Sequence, residues 1–166
     1  MDQIPEKVTI RLATVEDCAL IEDLIRKHGK YQKATDKQLT VSAELIKTNV
    51  FEKKYCEFLI AEVNNVPVGF SCFLHNFSTW LGKAGLWIED LFVFPEYRKQ
   101  KIGLRLMQKM AQICQERDCP RLDWTVMTWN ELAIGFYKKL GSEQMNEWIA
   151  HRLDFEGINA LANMKI

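Results

Sequence analysis

The sequence predicts an α/β (α+β) domain, a mixed and mostly antiparallel central sheet flanked by helices. Three observations predict it. The runs EFLIAEV (57–63) and VGFSCFLHNF (68–77) are joined by the turn sequence NNVP, which reads as an antiparallel hairpin. A third strand-like run, LWIEDLFVF (86–94), leads through a short basic loop into a helix-periodic stretch. Strands and helices then alternate, adding helix-crossed pairing to the meander. A chain of 166 residues suits one domain, 1–166, with a substantial core.

The elements follow in order. VTIRLAT (8–14) alternates like a strand, and Thr14 with Asp17 forms a T-x-x-D helix start. Cys18, Ile21, Leu24 and Ile25 then fall on one helical face, running to about Lys27. Residues 28–41 are polar and irregular, and Ser42 is placed to cap a short helix through Leu45 and Ile46. STWLGKAG (78–85) reads as a loop, and Pro95 ends the strand 86–94. Leu106, Met107, Met110, Ala111, Ile113 and Cys114 mark a helix of roughly fifteen residues. RLDWTVM (121–127) is a strand and ELAIGFYKKLG (131–141) a helix stopped by Gly141. EWIAHRLDF (147–155) reads as a last strand and INALANM as a closing helix.

Composition narrows the function. Lys plus Arg and Asp plus Glu each total 22, so the net charge is zero and a general nucleic-acid coat is excluded. No apolar run spans a bilayer, and MDQIPEKVTI lacks the apolar core of a leader, so no membrane partner is expected. The five cysteines are scattered and without CxxC spacing, which implies reduced thiols and a cytoplasmic protein. His28, His75 and His151 are isolated, so no metal is expected.

Three places carry chemistry. EYRKQKIG (96–103) sets Arg98, Lys99 and Lys101 between a strand and a helix. Backbone N–H groups at a helix start and close approach at Gly103 suit a phosphate there. A solvated basic loop is the alternative. In the strand 86–94, period-two alternation puts Glu89 with Trp87, Leu91 and Val93, and Asp90 on the other face. A carboxylate there is functional, held in a buried ion pair, or on the wet face of the strand. Trp129-Asn130 precedes a helix carrying Phe136 and Tyr137, a tyrosine that is either catalytic or simply anchored.

Taken together, IRLATVEDC, AEV with VGF, STWLGK, IEDLFVFPEYRKQKIG and WNELAIGFYKKLG resemble the GNAT superfamily of acetyl-coenzyme A N-acyltransferases. The likeness is to its diamine (spermidine/spermine) and thialysine N-acetyltransferase branch, in order over nearly the whole chain. STW and PEY lean toward the thialysine type. The resemblance implies acetyl-CoA as cosubstrate, no metal, a small-molecule amine acceptor and a homodimer. Residue by residue, it implies that Leu91, Phe92 and Val93 pair with the pantetheine arm. Arg98, Lys99, Gln100, Lys101, Ile102, Gly103 and Leu104 would cradle the pyrophosphate, with Asn130 beside the coenzyme. Tyr137 would lie near the thioester sulfur and Glu89 on the amine side. Tyr31, Gln32, Asp123, Trp124 and Thr125 would contact the amine.

The chemistry explains these residue types. An alkyl ammonium, with a pKa of about 10, must lose a proton before it attacks a thioester. Glu89 acting through water is the expected general base, and Tyr137 the expected acid for the departing thiolate. Trp80 and Asp90 could hold a second cationic group of the substrate, and Glu147 is a further acidic candidate. Two departures stand out. Lys101 replaces the first glycine of the usual Arg/Gln-x-x-Gly-x-Gly/Ala cradle. If that position requires positive φ, lysine strains the loop by about 1–3 kcal/mol; the basic replacement favours tolerance and an added charge for the phosphates. Gln32 and Ser78 stand where polyamine enzymes place acids, which favours a lysine analogue or short diamine over spermine. Two alternatives remain, a protein lysine or N-terminal acetyltransferase and a non-catalytic coenzyme A-binding module.

Overall fold

The computed structural model describes residues 7–165; the reading of residues 1–6 as lacking a leader lies outside it. The first strand, β1 (Val8–Leu12), is followed by a 3-10 turn at Val15–Asp17 and by helix α1 (Cys18–Tyr31). Asp17 fixes this entry: its Oδ2 accepts the Thr14 N–H at 2.8 Å, and Arg11 grips both carboxylate oxygens at 2.8 and 2.9 Å. The Arg11 guanidinium holds the Asp17 carboxyl down at about 2. Helix α2 (Ala43–Ile46) starts with Ser42 Oγ accepting the Leu45 N–H, as the sequence predicts, and runs on as a π-helical turn, Lys47–Glu52.

The sheet has the order β1-β2-β3-β4-β5, with β2 (Glu57–Val63), β3 (Val66–Ser78), β4 (Lys83–Val93) and β5 (Leu122–Trp124). The first three pairings are antiparallel and β4–β5 is parallel, as helix α3 (Ile102–Glu116) returns the chain to the sheet. The expected mixed sheet is therefore present. Residues 78–85 shrink to a tight turn because β3 and β4 zip together down to Ser78↔Lys83. The expected strand 121–127 narrows to three residues.

One face of the sheet, with Phe58, Phe70, Cys72 and Phe92, packs on Ile21 and Leu24 of α1 and Ile46 and Val50 beyond. Helix α3 packs on β1–β4 through its buried stripe, Ile102, Leu106, Met107, Met110 and Ile113. Gly69 lets β3 and β4 approach: a Cβ there would meet the Phe92 carbonyl oxygen at 2.5 Å.

The chain divides into two compact units, 1–125 and 126–166. The second holds α4 (Glu131–Lys139), stopped at Gly141 with φ +82 as the sequence predicts, and α5 (Phe155–Ala162). The expected strand 147–155 does not form. Residues 147–154 have no regular structure, and Asp154 instead caps α5 by accepting the Gly157 N–H. Alternation alone makes no strand without a sheet edge to pair with. Trp148, Ile149 and Phe155 are consequently exposed. Among the described residues no helix is long and apolar enough to cross a membrane.

Candidate active site

A bulge in β4 organises the site. The register pairs Ile88 with Phe73 and Asp90 with Cys72, so Glu89 is one residue too many and shares Cys72 with Asp90. Period-two alternation therefore fails at this point. Asp90 does not face away from Glu89 as the sequence suggests; both carboxylates lie on the α1 face, while Leu91 points the other way with its partner Ser71. The Glu89 Oε2 accepts the Trp87 indole N–H at 2.9 Å, and its carboxylate is exposed. Asp90 Oδ1 lies 3.4 Å from His28 Nδ1 of α1. Burial raises the Asp90 pKa, partly offset by His28.

The bulge lies where β4 parts from β5. Their ladder covers only Leu86–Ile88, so no strand of the five pairs with Glu89–Val93 on that side. Leu91, Phe92 and Val93 thus lie on a strand edge left open by β5, as an added extended chain requires. Phe92 and Val93 are buried, and Phe92 lies at the centre of an aromatic group with Phe70, Tyr31 and Phe94. A pocket of about 310 Å³ adjoins it, lined by Lys27, Tyr31, Phe92, Phe94, Pro95 and Glu96.

The basic loop follows. Lys99, Gln100 and Lys101 are exposed. Lys99 has φ +65 and Lys101 φ +62, both left-handed. Lys101 immediately precedes α3, and no side chain caps that end. Arg105 N–H reaches the Lys101 carbonyl, so the N–H groups of Ile102, Gly103 and Leu104 precede the first intrahelical bond. Backbone N–H groups at a helix start with two lysines beside them can hold an anion. The Ile102 side chain takes no part, being 1% exposed in the core. Arg98 is also occupied: its Nε donates to the Val93 carbonyl at 3.1 Å, its Nη1 to the Tyr31 hydroxyl at 3.3 Å, and it stacks 4.6 Å over the Tyr31 ring. The residues present fit a pyrophosphate, with Arg98 bracing the loop.

Residues 19–142 match the model of the acetyltransferase (GNAT) family. The chain belongs to the GNAT family. It is therefore an acetyltransferase, and GNAT acetyltransferases use acetyl-CoA. A thialysine N-epsilon-acetyltransferase of Bos taurus is 34% identical, over 93% of this chain and 97% of its own. The L-ornithine N5-acetyltransferase NATA1 of Arabidopsis thaliana is 33% identical, over 66% of this chain and 49% of its own. Among solved structures, an integron cassette protein from the mobile metagenome of V. cholerae superposes with a TM-score of 0.78 at 29% identity, covering 95% and 98% of the two chains.

The remaining expected residues of this GNAT chain are placed as follows. Gln32 is exposed just past α1, its backbone N–H bonding the His28 carbonyl. Trp80 is 91% exposed on the β3–β4 turn, and Ser78 Oγ accepts the Leu81 N–H within that turn. Asp123 on β5 accepts from Asn76 at 2.9 Å and lies 2.8 Å from Arg121 Nε. Trp124 pairs with Ile88, and Thr125 is exposed beside it. In the second unit, Asn130 Oδ1 caps α4 by accepting the Ala133 N–H. Tyr137 packs on Phe136, and burial pushes its hydroxyl up to about 12. Glu147 is exposed in that unit. The structure adds His28, which sequence spacing marks only as an isolated histidine. Its position on α1, seven residues after Ile21, was the available signal.

Proposed function

We propose that this chain transfers acetyl from acetyl-CoA to a primary amine of a small molecule, a lysine analogue such as thialysine or a short diamine, with polyamines as poorer acceptors. The observation that carries the reading is the bulge, which puts an exposed carboxylate, Glu89, beside an open strand edge. The named relatives act on terminal amines of amino acids, which supports the same acceptor class here. The shortage of open carboxylates supports small amines over spermine: Gln32 is uncharged, Ser78 closes a turn and Asp123 is held by Arg121.

The coenzyme supplies an activated acetyl thioester. The N–H groups at the start of α3, with Lys99 and Lys101, would hold its pyrophosphate, and Leu91–Val93 would pair with its extended arm. Glu89 takes the ammonium proton through water. A backbone N–H of the open edge steadies the developing oxyanion. Tyr137 protonates the departing thiolate; its raised pKa keeps it a hydroxyl throughout the working range. Trp80 and Asp90 steer the cationic acceptor, with Tyr31, Gln32, Trp124, Thr125 and Glu147 as further contacts and Asn130 beside the coenzyme. The chain acts as one N-acetyltransferase domain, supported by a family match that runs through both compact units. It acts as a homodimer, supported by the exposed apolar run around Trp148, Ile149 and Phe155.

The test is release of free thiol from acetyl-CoA with thialysine, lysine, ornithine, short diamines, spermidine, spermine and a lysine peptide. Fastest release with the amino-acid amines is expected. Release with the peptide alone would replace this reading by a protein acetyltransferase, and coenzyme binding with no release by a non-catalytic module.

A further inference from the structure

His28 is a buried titratable group with no part in the mechanism above. It is 8% exposed and clamped between rings, 5.0 Å from Phe92 and 5.8 Å from Phe70. Its imidazole Nδ1 faces the carboxylate of Asp90. Asp90 is not sealed in: its side chain is 31% exposed, next to Glu89 on the same face.

We propose that His28 is a positioning residue for the acceptor, holding Asp90 beside Glu89 and cancelling, when the pair takes up a proton, the charge that Asp90 offers to a substrate ammonium. The inference rests on the amine-acceptor reading.

The pair carries one negative charge when His28 is neutral and Asp90 ionised. Whichever atom receives it, the first proton brings the pair to neutrality. Burial lowers His28 below the ordinary 6.5 and Asp90 opposes this; burial raises Asp90 and His28 opposes that. The facing titratable groups are Glu89 on β4, Cys72 on β3 and Cys56 ahead of β2. On α1, Lys27 sits over Phe94 and Tyr31 beneath Arg98. Cys72 is pushed up by its hydrogen bond with Cys56 and by burial, so it stays a thiol. The same hydrogen bond lowers Cys56, which a Cys56→Ser background removes from the titration.

The probe is an N-trimethylated analogue of the best amine, whose charge is fixed and which cannot be acetylated. Its inhibition constant is measured from pH 5 to 8, at saturating acetyl-CoA, for wild type and His28→Gln. Weakening toward low pH is expected in wild type. In His28→Gln the weakening should move to lower pH, leaving binding about three- to tenfold tighter than wild type near pH 5.5, as one screened charge at close range implies. Superimposable profiles would overturn the proposal. NMR titration of the imidazole protons in the free protein reads the pair without catalysis: Asp90→Asn should shift the His28 midpoint down, and an unmoved midpoint would also overturn it. If no amine drives thiol release at pH 8, the acceptor reading fails and takes the role of His28 with it. Release with unshifted profiles sinks only the His28 role.

Discussion

Lys101 holds a left-handed backbone, φ +62 and ψ 12, at the one point where the loop turns into α3. A residue with a Cβ there costs about 1–2 kcal/mol. Glycine removes that strain but gains about 0.5–1 kcal/mol of freedom in the unfolded chain. Lys101→Gly should therefore stabilise the protein by about 0.5–1 kcal/mol, and Lys101→Ala should not, since alanine keeps the strained Cβ. For a domain of this size the glycine variant should melt roughly 1–4 °C above the alanine variant. Both lose the exposed ammonium, so their shared change in coenzyme A affinity reads the charge alone. A lost charge-assisted contact to phosphate is expected to weaken binding about tenfold, and the loss should shrink at high salt. Thermal melts and calorimetric titration with coenzyme A make the comparison. An alanine variant that melts at or above the glycine variant would refute the backbone argument. Unchanged affinity in both would remove Lys101 from the cradle.

Asp17, held at about 2 against an ordinary 3.8, contributes stability that is present above 3.8 and lost as pH falls through 2. Asp17→Asn should cost about 2 kcal/mol at pH 7 and flatten the loss of stability between pH 5 and 2, followed by urea unfolding. Gly69→Ala forces a Cβ against the Phe92 carbonyl, and should destabilise by about 1–3 kcal/mol while spoiling the β4 edge; an unchanged Tm would show that β3 yields at no cost. Tyr137→Phe should lower kcat by about 100-fold or more with coenzyme A binding kept within a factor of two, and an unchanged rate would exclude the hydroxyl as the acid.

Much of the fold was legible because it is built from local signals. The Thr14–Asp17 start, the NNVP turn, the α3 stripe and Gly141 each act within a few residues, and each appears where the sequence places it. The run 147–155 was misread because its alternation is only half of a strand; the other half is a paired edge, which residues 147–154 lack. The basic loop was legible as a connection between strand and helix. The commitment of Arg98 to Tyr31 was not, because it depends on a contact across 67 residues of chain.

The largest departure from the sequence pattern is one residue wide and sets the faces of two carboxylates. Period-two alternation separates Glu89 from Asp90 onto opposite faces. A single uncompensated residue opposite Cys72 brings them to one face instead. Two adjacent carboxylates so placed repel; burial is what chiefly raises the Asp90 pKa, His28 opposes it, and Glu89 adds a smaller rise. The fold separates them by environment: Glu89 stays in the open against the Trp87 indole, while Asp90 turns toward His28. One carboxylate is thus left open to solvent while its neighbour has a partner of its own. That division follows from the bulge and the histidine together: without the extra residue Glu89 would alternate to the face opposite Asp90, and without His28 the Asp90 carboxylate would lack that partner.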